Sequence, residues 1–82
     1  MSITIFSKPQ CVQCDQAKAL LKSKNVSYEE RVFDVGQPKV DGVIYQDVAV
    51  FKTLYPQAKT APQVLLNGEY LGGLTELRQH LG

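Results

Sequence analysis

Apolar and polar positions along the chain change their period several times, and each change marks an element. Ile3, Ile5 and Phe6 put apolar side chains on both sides of residues 3 to 7, the pattern of a central strand covered on both faces, and Lys8-Pro9-Gln10 ends it. From Cys11 to about Lys24 the period becomes helical. Cys14, Ala17 and Leu21 recur at spacings of three and four with Leu20 beside them, while Lys18, Lys22 and Lys24 are polar. Tyr28 to Phe33 returns to strand character, interleaved with Glu29, Glu30 and Arg31 as suits a more exposed strand. Strand, helix, strand predicts a parallel βαβ unit.

Asp34 to Asp41 carries Gly36 and Pro38 and no apolar period, so it reads as a loop. Ile44, Val48, Phe51 and Tyr55, at spacings of four, three and four, predict a second amphipathic helix, with Asp41 placed to cap it and Pro56 ending it. Val64-Leu65-Leu66 and Tyr70-Leu71 flank Asn67-Gly68, which predicts a hairpin because a type I′ turn needs positive φ at both central residues. After Gly72-Gly73, Leu74, Leu77 and Leu81 form the stripe of a final helix. The predicted order is β-α-β-α-β-β-α in one domain, residues 1–82.

Composition narrows the function. A chain of 82 residues with 44% hydrophobic content supports a modest core but no large enclosed cavity, so any site is shallow. The formal charge is +1 and no dense Lys/Arg run occurs, which gives no electrostatic footprint for nucleic acid or for an anionic membrane. No apolar run approaches the roughly 18 residues that span a bilayer, and the N-terminus has no signal-peptide pattern. A cytoplasmic monomer whose partners are proteins or small molecules is the expectation.

Cys11-Val12-Gln13-Cys14 holds both cysteines of the chain. If the helix begins near Val12, both sulfurs sit at its N-terminal end, where free N–H groups and the macrodipole favour a thiolate. In a reducing compartment such a pair is more often catalytic or metal-binding than structural. A zinc site needs about four ligands, and His80 is the only other candidate, so no metal is expected. The competing class is a metal or iron–sulfur module built between chains.

Four elements in register carry a family resemblance: Lys8 three residues before the first cysteine, the Cys11–Cys14 motif at a strand-to-helix junction, Thr60-Ala61-Pro62 entering the third strand, and Gly72-Gly73-Leu74-Thr75-Glu76 opening the last helix. In these the chain resembles the glutaredoxins of the thioredoxin superfamily. The resemblance implies an α/β thioredoxin fold, a four-stranded mixed sheet flanked by three helices, with a cis bond before Pro62 that sets its loop against the cysteines. It also implies a glutathione-dependent disulfide oxidoreductase. Val12-Gln13 stands where most of the family has Pro-Tyr and is similar to the glutaredoxin-like hydrogen donors that serve ribonucleotide reductase and take electrons from thioredoxin reductase. Short bacteriophage glutaredoxins vary there as well. The Gly72–Glu76 segment argues for glutathione instead.

Cys11, at the exposed helix start, reads as the nucleophile, with Lys8 as a nearby cation that lowers its pKa and Asp15 in the first turn pulling the other way. Cys14, one turn inward, reads as the resolving thiol. The family's glutathione site carries over onto Lys8, Gln13, Ala61 with Pro62, Gly73, Leu74 and Thr75. Gln13 replaces a tyrosine and cannot stack, which implies weaker glutathione affinity. Taken alone, Lys8 is equally a solvated loop lysine, Gly72-Gly73 a strand-to-helix turn, and Thr75 a helix N-cap.

Overall fold

Residues 2–81 are described by the structure, a computed structural model; the ends of the expected 1–82 domain, Met1 and Gly82, lie outside the described residues. In chain order the elements are β1 (Ile3–Ser7), α1 (Val12–Ser23), β2 (Glu29–Asp34), β3 (Ile44–Asp47), α2 (Val48–Leu54), β4 (Gln63–Leu66), β5 (Glu69–Gly72) and α3 (Leu74–Leu81). The strands form one sheet in the order β3-β2-β1-β4-β5. β1 is central, parallel to β2 with Thr4 opposite Glu29, and antiparallel to β4 with Ile5 opposite Val64.

Alternation along β1 divides the interior into two. Ile3 and Ile5 face α1 and α3, where they pack with Ala17, Leu21, Val64, Leu74 and Leu77. Phe6 faces the other way and joins Phe33, Phe51 and Ala58 beneath α2. That second cluster is aromatic. Phe6, Phe33 and Phe51 lie with ring centroids 4.7–5.8 Å apart, and the chain of rings continues through Tyr55 to Tyr70 at 5.0 and 5.2 Å. Each large side chain removed from water in these clusters contributes about 1.5–3 kcal/mol.

A helix end and the predicted hairpin turn fall where left-handed backbone is needed. Asn25, at φ 56°, closes α1, and the Val26 N–H donates to the Leu21 carbonyl at 2.9 Å. Asn67 and Gly68, at φ 52° and 82°, make the hairpin turn between β4 and β5. No helix among the described residues is long and apolar enough to cross a membrane.

One expectation is corrected. The sheet has five strands rather than four, because Ile44–Asp47 is not the first turn of the second helix but an edge strand, parallel to β2 with Arg31 opposite Ile44. Ile44 fitted the helical period but is 45% exposed, so no core position held it in a helix. Val43, Ile44 and Tyr45, β-branched and aromatic, suit the strand instead. Helix α2 therefore starts at Val48, and its N-cap is Asp47, whose carboxylate accepts from the Val50 N–H at 2.9 Å, rather than Asp41. Asp47→Ala is expected to lower stability by about 1 kcal/mol, whereas Asp41→Ala should stay within about 0.5 kcal/mol of the parent. Urea unfolding of the two variants side by side checks the cap assignment.

Candidate active site

β1 delivers the chain to the mouth of α1 through Lys8, Pro9 and Gln10, the last with φ 54°. Cys11 then occupies the N-cap, a place more often filled by Ser, Thr, Asp or Asn. Its sulfur does what those oxygens do and accepts the Cys14 N–H at 3.1 Å, while its carbonyl accepts the Asp15 N–H at 3.1 Å. Cys11 and Cys14 are joined as a disulfide with Cα atoms 5.2 Å apart. Exposure separates them: Cys11 is at 9% and Cys14 at 1%, on the inner face of α1 with Ala17 and Leu21. A shallow groove bordered by Lys8, Gln10, Val12, Gln13, Lys59, Thr60 and Ala61 reaches Cys11 and not Cys14.

The opposite wall is the loop entering β4. The Ala61-Pro62 bond is cis, as the family resemblance implied, and the Ala61 carbonyl oxygen lies 3.8 Å from the Cys11 sulfur. In the disulfide this is a contact; a reduced Cys11 thiol there can donate to that oxygen. Gln63, next in the chain and 3% exposed, fastens the loop. Its amide nitrogen donates to the Thr60 carbonyl at 2.6 Å, and its amide oxygen accepts the Tyr70 hydroxyl at 2.6 Å. Burial, and then the charge of Glu76, raise the pKa of Tyr70, so its hydroxyl stays a donor.

The start of α3 forms the third side. Gly73 precedes its first residue, and its N–H is taken by the Glu76 carboxylate at 2.8 Å, the N3-to-N-cap half of a capping box. Thr75 is thus in the first turn and not the cap. A Cβ on Gly73 would stand 3.2 Å from the Pro62 carbonyl, and one on Gly72, at φ 134°, would stand 2.6 Å from the Glu76 side chain. Gly72 is favoured by its left-handed backbone and Gly73 by a tight approach to the loop, whatever ligand role the pair has. Between this end of α3 and the cysteine helix lies a polar hollow of about 370 Å³ lined by Gln13, Gln16, Gln57, Lys59, Thr60, Gln63, Tyr70, Gly73, Leu74, Thr75, Glu76 and Arg78. Amide donors, two cations and one carboxylate around a helix start suit a small zwitterionic ligand that carries carboxylates.

The residues singled out from the sequence therefore meet. Lys8, Gln13 and Ala61 border the groove at Cys11; Gln13, Gly73, Leu74 and Thr75 border the polar hollow; Pro62 is buried behind both. Lys59, Gln63, Tyr70 and Arg78 were not foreseen. Glu76 stood in the segment singled out from the sequence, but its capping role was not read, although a carboxylate three residues after a glycine at a helix start signals it.

The acidic groups nearest the cysteines are engaged with Lys18. Asp15, whose side chain is 78% exposed, turns toward Lys18 at 3.8 Å. Lys18 also donates to Glu30 at 2.9 Å, and the buried Ser7 hydroxyl donates to the same carboxylate oxygen at 2.7 Å. Burial alone would raise the Glu30 pKa, but the hydrogen bonds from Ser7 and Lys18 and the Lys18 charge outweigh it and hold it below 4.5. The hydrogen bond to Glu30, opposed by partial burial, raises Lys18 above 10.5.

A glutaredoxin family model matches residues 3–71. Glutaredoxin 3 of Escherichia coli K12 is 30% identical over 76 residues, 93% of this chain and 81% of that protein. The hybrid peroxiredoxin hyPrx5 of Haemophilus influenzae is 37% identical over 79 residues, but the chain spans only 29% of that protein's length. Among solved structures, the holo form of glutaredoxin C1 from Populus tremula x tremuloides superposes with a TM-score of 0.71 at 25% identity, over 94% of this chain and 70% of that one.

Two outcomes test the arrangement. Gln63→Leu strips the Thr60 carbonyl and the Tyr70 hydroxyl of their partner and should cost about 1–3 kcal/mol, with Gln63→Leu and Tyr70→Phe non-additive in a double-mutant cycle followed by urea unfolding. Because the folded pKa of Glu30 is depressed, its stabilisation is complete above about pH 4.5 and is lost as pH falls through the lower folded value. Glu30→Gln should flatten the acid limb of a stability-against-pH curve while changing stability near neutrality by less than about 1 kcal/mol.

Proposed function

The chain belongs to the glutaredoxin family and is a thiol-disulfide oxidoreductase of thioredoxin fold, and we propose that it is glutathione-dependent, with Cys11 as nucleophile and Cys14 as resolving thiol. The observation that carries this is the cap itself. A sulfur that accepts a helix N–H at 3.1 Å and borders the open groove gains most from being negative. Lys8 on the groove rim adds a cation, and Asp15 is engaged with Lys18.

In the forward direction the Cys11 thiolate attacks one sulfur of a substrate disulfide and expels the other as a thiolate, which takes up a proton. Cys14 then loses its proton and attacks the Cys11 sulfur, so that the substrate leaves reduced and the Cys11–Cys14 disulfide closes. Two electrons pass from the dithiol to the substrate. One glutathione thiolate reopens the pair by joining Cys11 and freeing Cys14, and a second takes the first away as glutathione disulfide. Glutathione would lie with its cysteine main chain along Ala61 beside Pro62, in the manner of an added strand, and its γ-glutamyl carboxylate at Gly73, Leu74 and Thr75. Lys8 and Gln13 would hold the other end.

Protein disulfides, that of ribonucleotide reductase among them, are the proposed targets. A cytoplasmic monomer is the proposed setting, since a reducing compartment supplies glutathione. Val12-Gln13 favours a second reading of the same chemistry, with thioredoxin reductase as the electron source.

Recycling of the oxidised protein by glutathione with glutathione reductase is expected to outpace recycling by thioredoxin reductase with NADPH; the reverse order would establish the second reading. Cys14→Ser should trap mixed disulfides on Cys11, detectable by mass spectrometry, and Cys11→Ser should fall to background. Gln13→Tyr restores a stacking ring and should lower KM for glutathione by roughly two- to tenfold.

A further inference from the structure

A third hollow, of about 180 Å³, opens between the end of β2, α2 and the loop entering β4. Its floor is the aromatic cluster, Phe33 and Phe51 with Ala58, and its walls are Val48 and Val35. Val35 is 59% exposed, an aliphatic side chain left in water at the mouth. Lys8, Lys52 and Lys59 complete the lining, and no carboxylate borders it. Among the described residues none of these three lysines has a carboxylate within 4 Å, although Lys18, Arg31 and Lys39 each do. The pocket shares Lys8, Lys59, Thr60 and Ala61 with the groove at Cys11. An extended chain advances at most about 3.3–3.6 Å per residue, so a side chain in this pocket belongs to a residue within a few positions of a cysteine lying at Cys11.

We propose that this pocket selects protein substrates, taking an apolar side chain flanked by carboxylates a few residues from the disulfide cysteine. The occupant is an acidic-apolar segment of the substrate: the floor removes its aliphatic or aromatic side chain from water, and the unpaired lysines match its charge. This rests on the reading that Cys11 attacks protein disulfides, and adds which of them it attacks fastest. The pocket shares Lys8 and Ala61 with the proposed glutathione site, so protein substrate and glutathione would occupy the surroundings of the sulfur in turn, as the two halves of the reaction require.

The test uses three ten-residue peptides, each with one cysteine held as a mixed disulfide with 2-mercaptoethanol: one with Leu and two Asp three to five residues from the cysteine, one with Lys for Asp, and one with Ser for Leu. Bis(2-hydroxyethyl) disulfide is the reference. Reduced protein attacks each, transferring two electrons from its dithiol, and the second-order rate is followed at low and high salt. The Leu/Asp peptide should react roughly tenfold faster than the Leu/Lys peptide at low salt, with the gap shrinking as salt screens it, and the Asp/Ser peptide should fall between. Lys52→Glu, on an exposed turn of α2, should remove the preference for the acidic peptide and leave the reference rate unchanged, with Lys52→Gln intermediate. Equal rates for the three peptides, or a Lys52→Glu effect that is the same on the reference disulfide, would overturn the proposal. Failure of the parent protein to reduce even the reference would instead sink the underlying reading of Cys11.

Discussion

The hydrogen bond from the Cys14 amide to the Cys11 sulfur is the constraint around which the site is organised. A helix start leaves N–H groups that demand an acceptor, and here the acceptor is the reactive atom itself. Sulfur is a weak acceptor as a thiol and a strong one as a thiolate, so the requirement of the helix and the requirement of the chemistry coincide. To keep that cap, α1 must be seated firmly. Its seat is Ala17 and Leu21, pressed on Ile3 and Ile5 of β1, with Cys14 buried on the same helix.

The other walls converge on the same atom from distant parts of the chain. The loop that carries Ala61 is held by Gln63, and Gln63 is held by Tyr70 from the neighbouring strand. Gly73 lies close to the Pro62 carbonyl, so that a Cβ there would stand a tight 3.2 Å from it, which sets the start of α3 against the loop. Side-chain amide, hydroxyl and carboxylate thus fix the Ala61 loop and the start of α3 beside the groove. Of these groups only the Ala61 carbonyl meets the Cys11 sulfur, yet together they decide what else a substrate meets there.

Much of the fold was legible because its elements state themselves locally. The two-faced apolar run at residues 3–7, the three-and-four spacing of Cys14, Ala17 and Leu21, and Asn67-Gly68 between two apolar pairs each admit one reading. The third strand was not legible, since Ile44, Val48, Phe51 and Tyr55 share one helical period across a boundary that only Asp47 marks. An edge strand with little buried surface leaves a faint trace in sequence. In the site, cysteines and glycines could be placed from spacing and family likeness, whereas Lys59, Gln63, Tyr70 and Arg78 could not. Their partners lie in other elements, and a sequence does not order side chains across a turn.

The alternation of β1 also has a meaning for how such a protein can change over time. Ile3 and Ile5 serve the helices that hold and cap the reactive sulfur, while Phe6, their neighbour in the chain, serves the cluster under α2 that floors the apolar pocket. Reactivity is thus supported from one face of the sheet and the surroundings of that pocket from the other. Substitutions under α2 therefore leave the seat of α1 alone and reach the reactive sulfur only through Tyr70 and Ala61, which pack against that cluster and respectively hold and form the loop beside it.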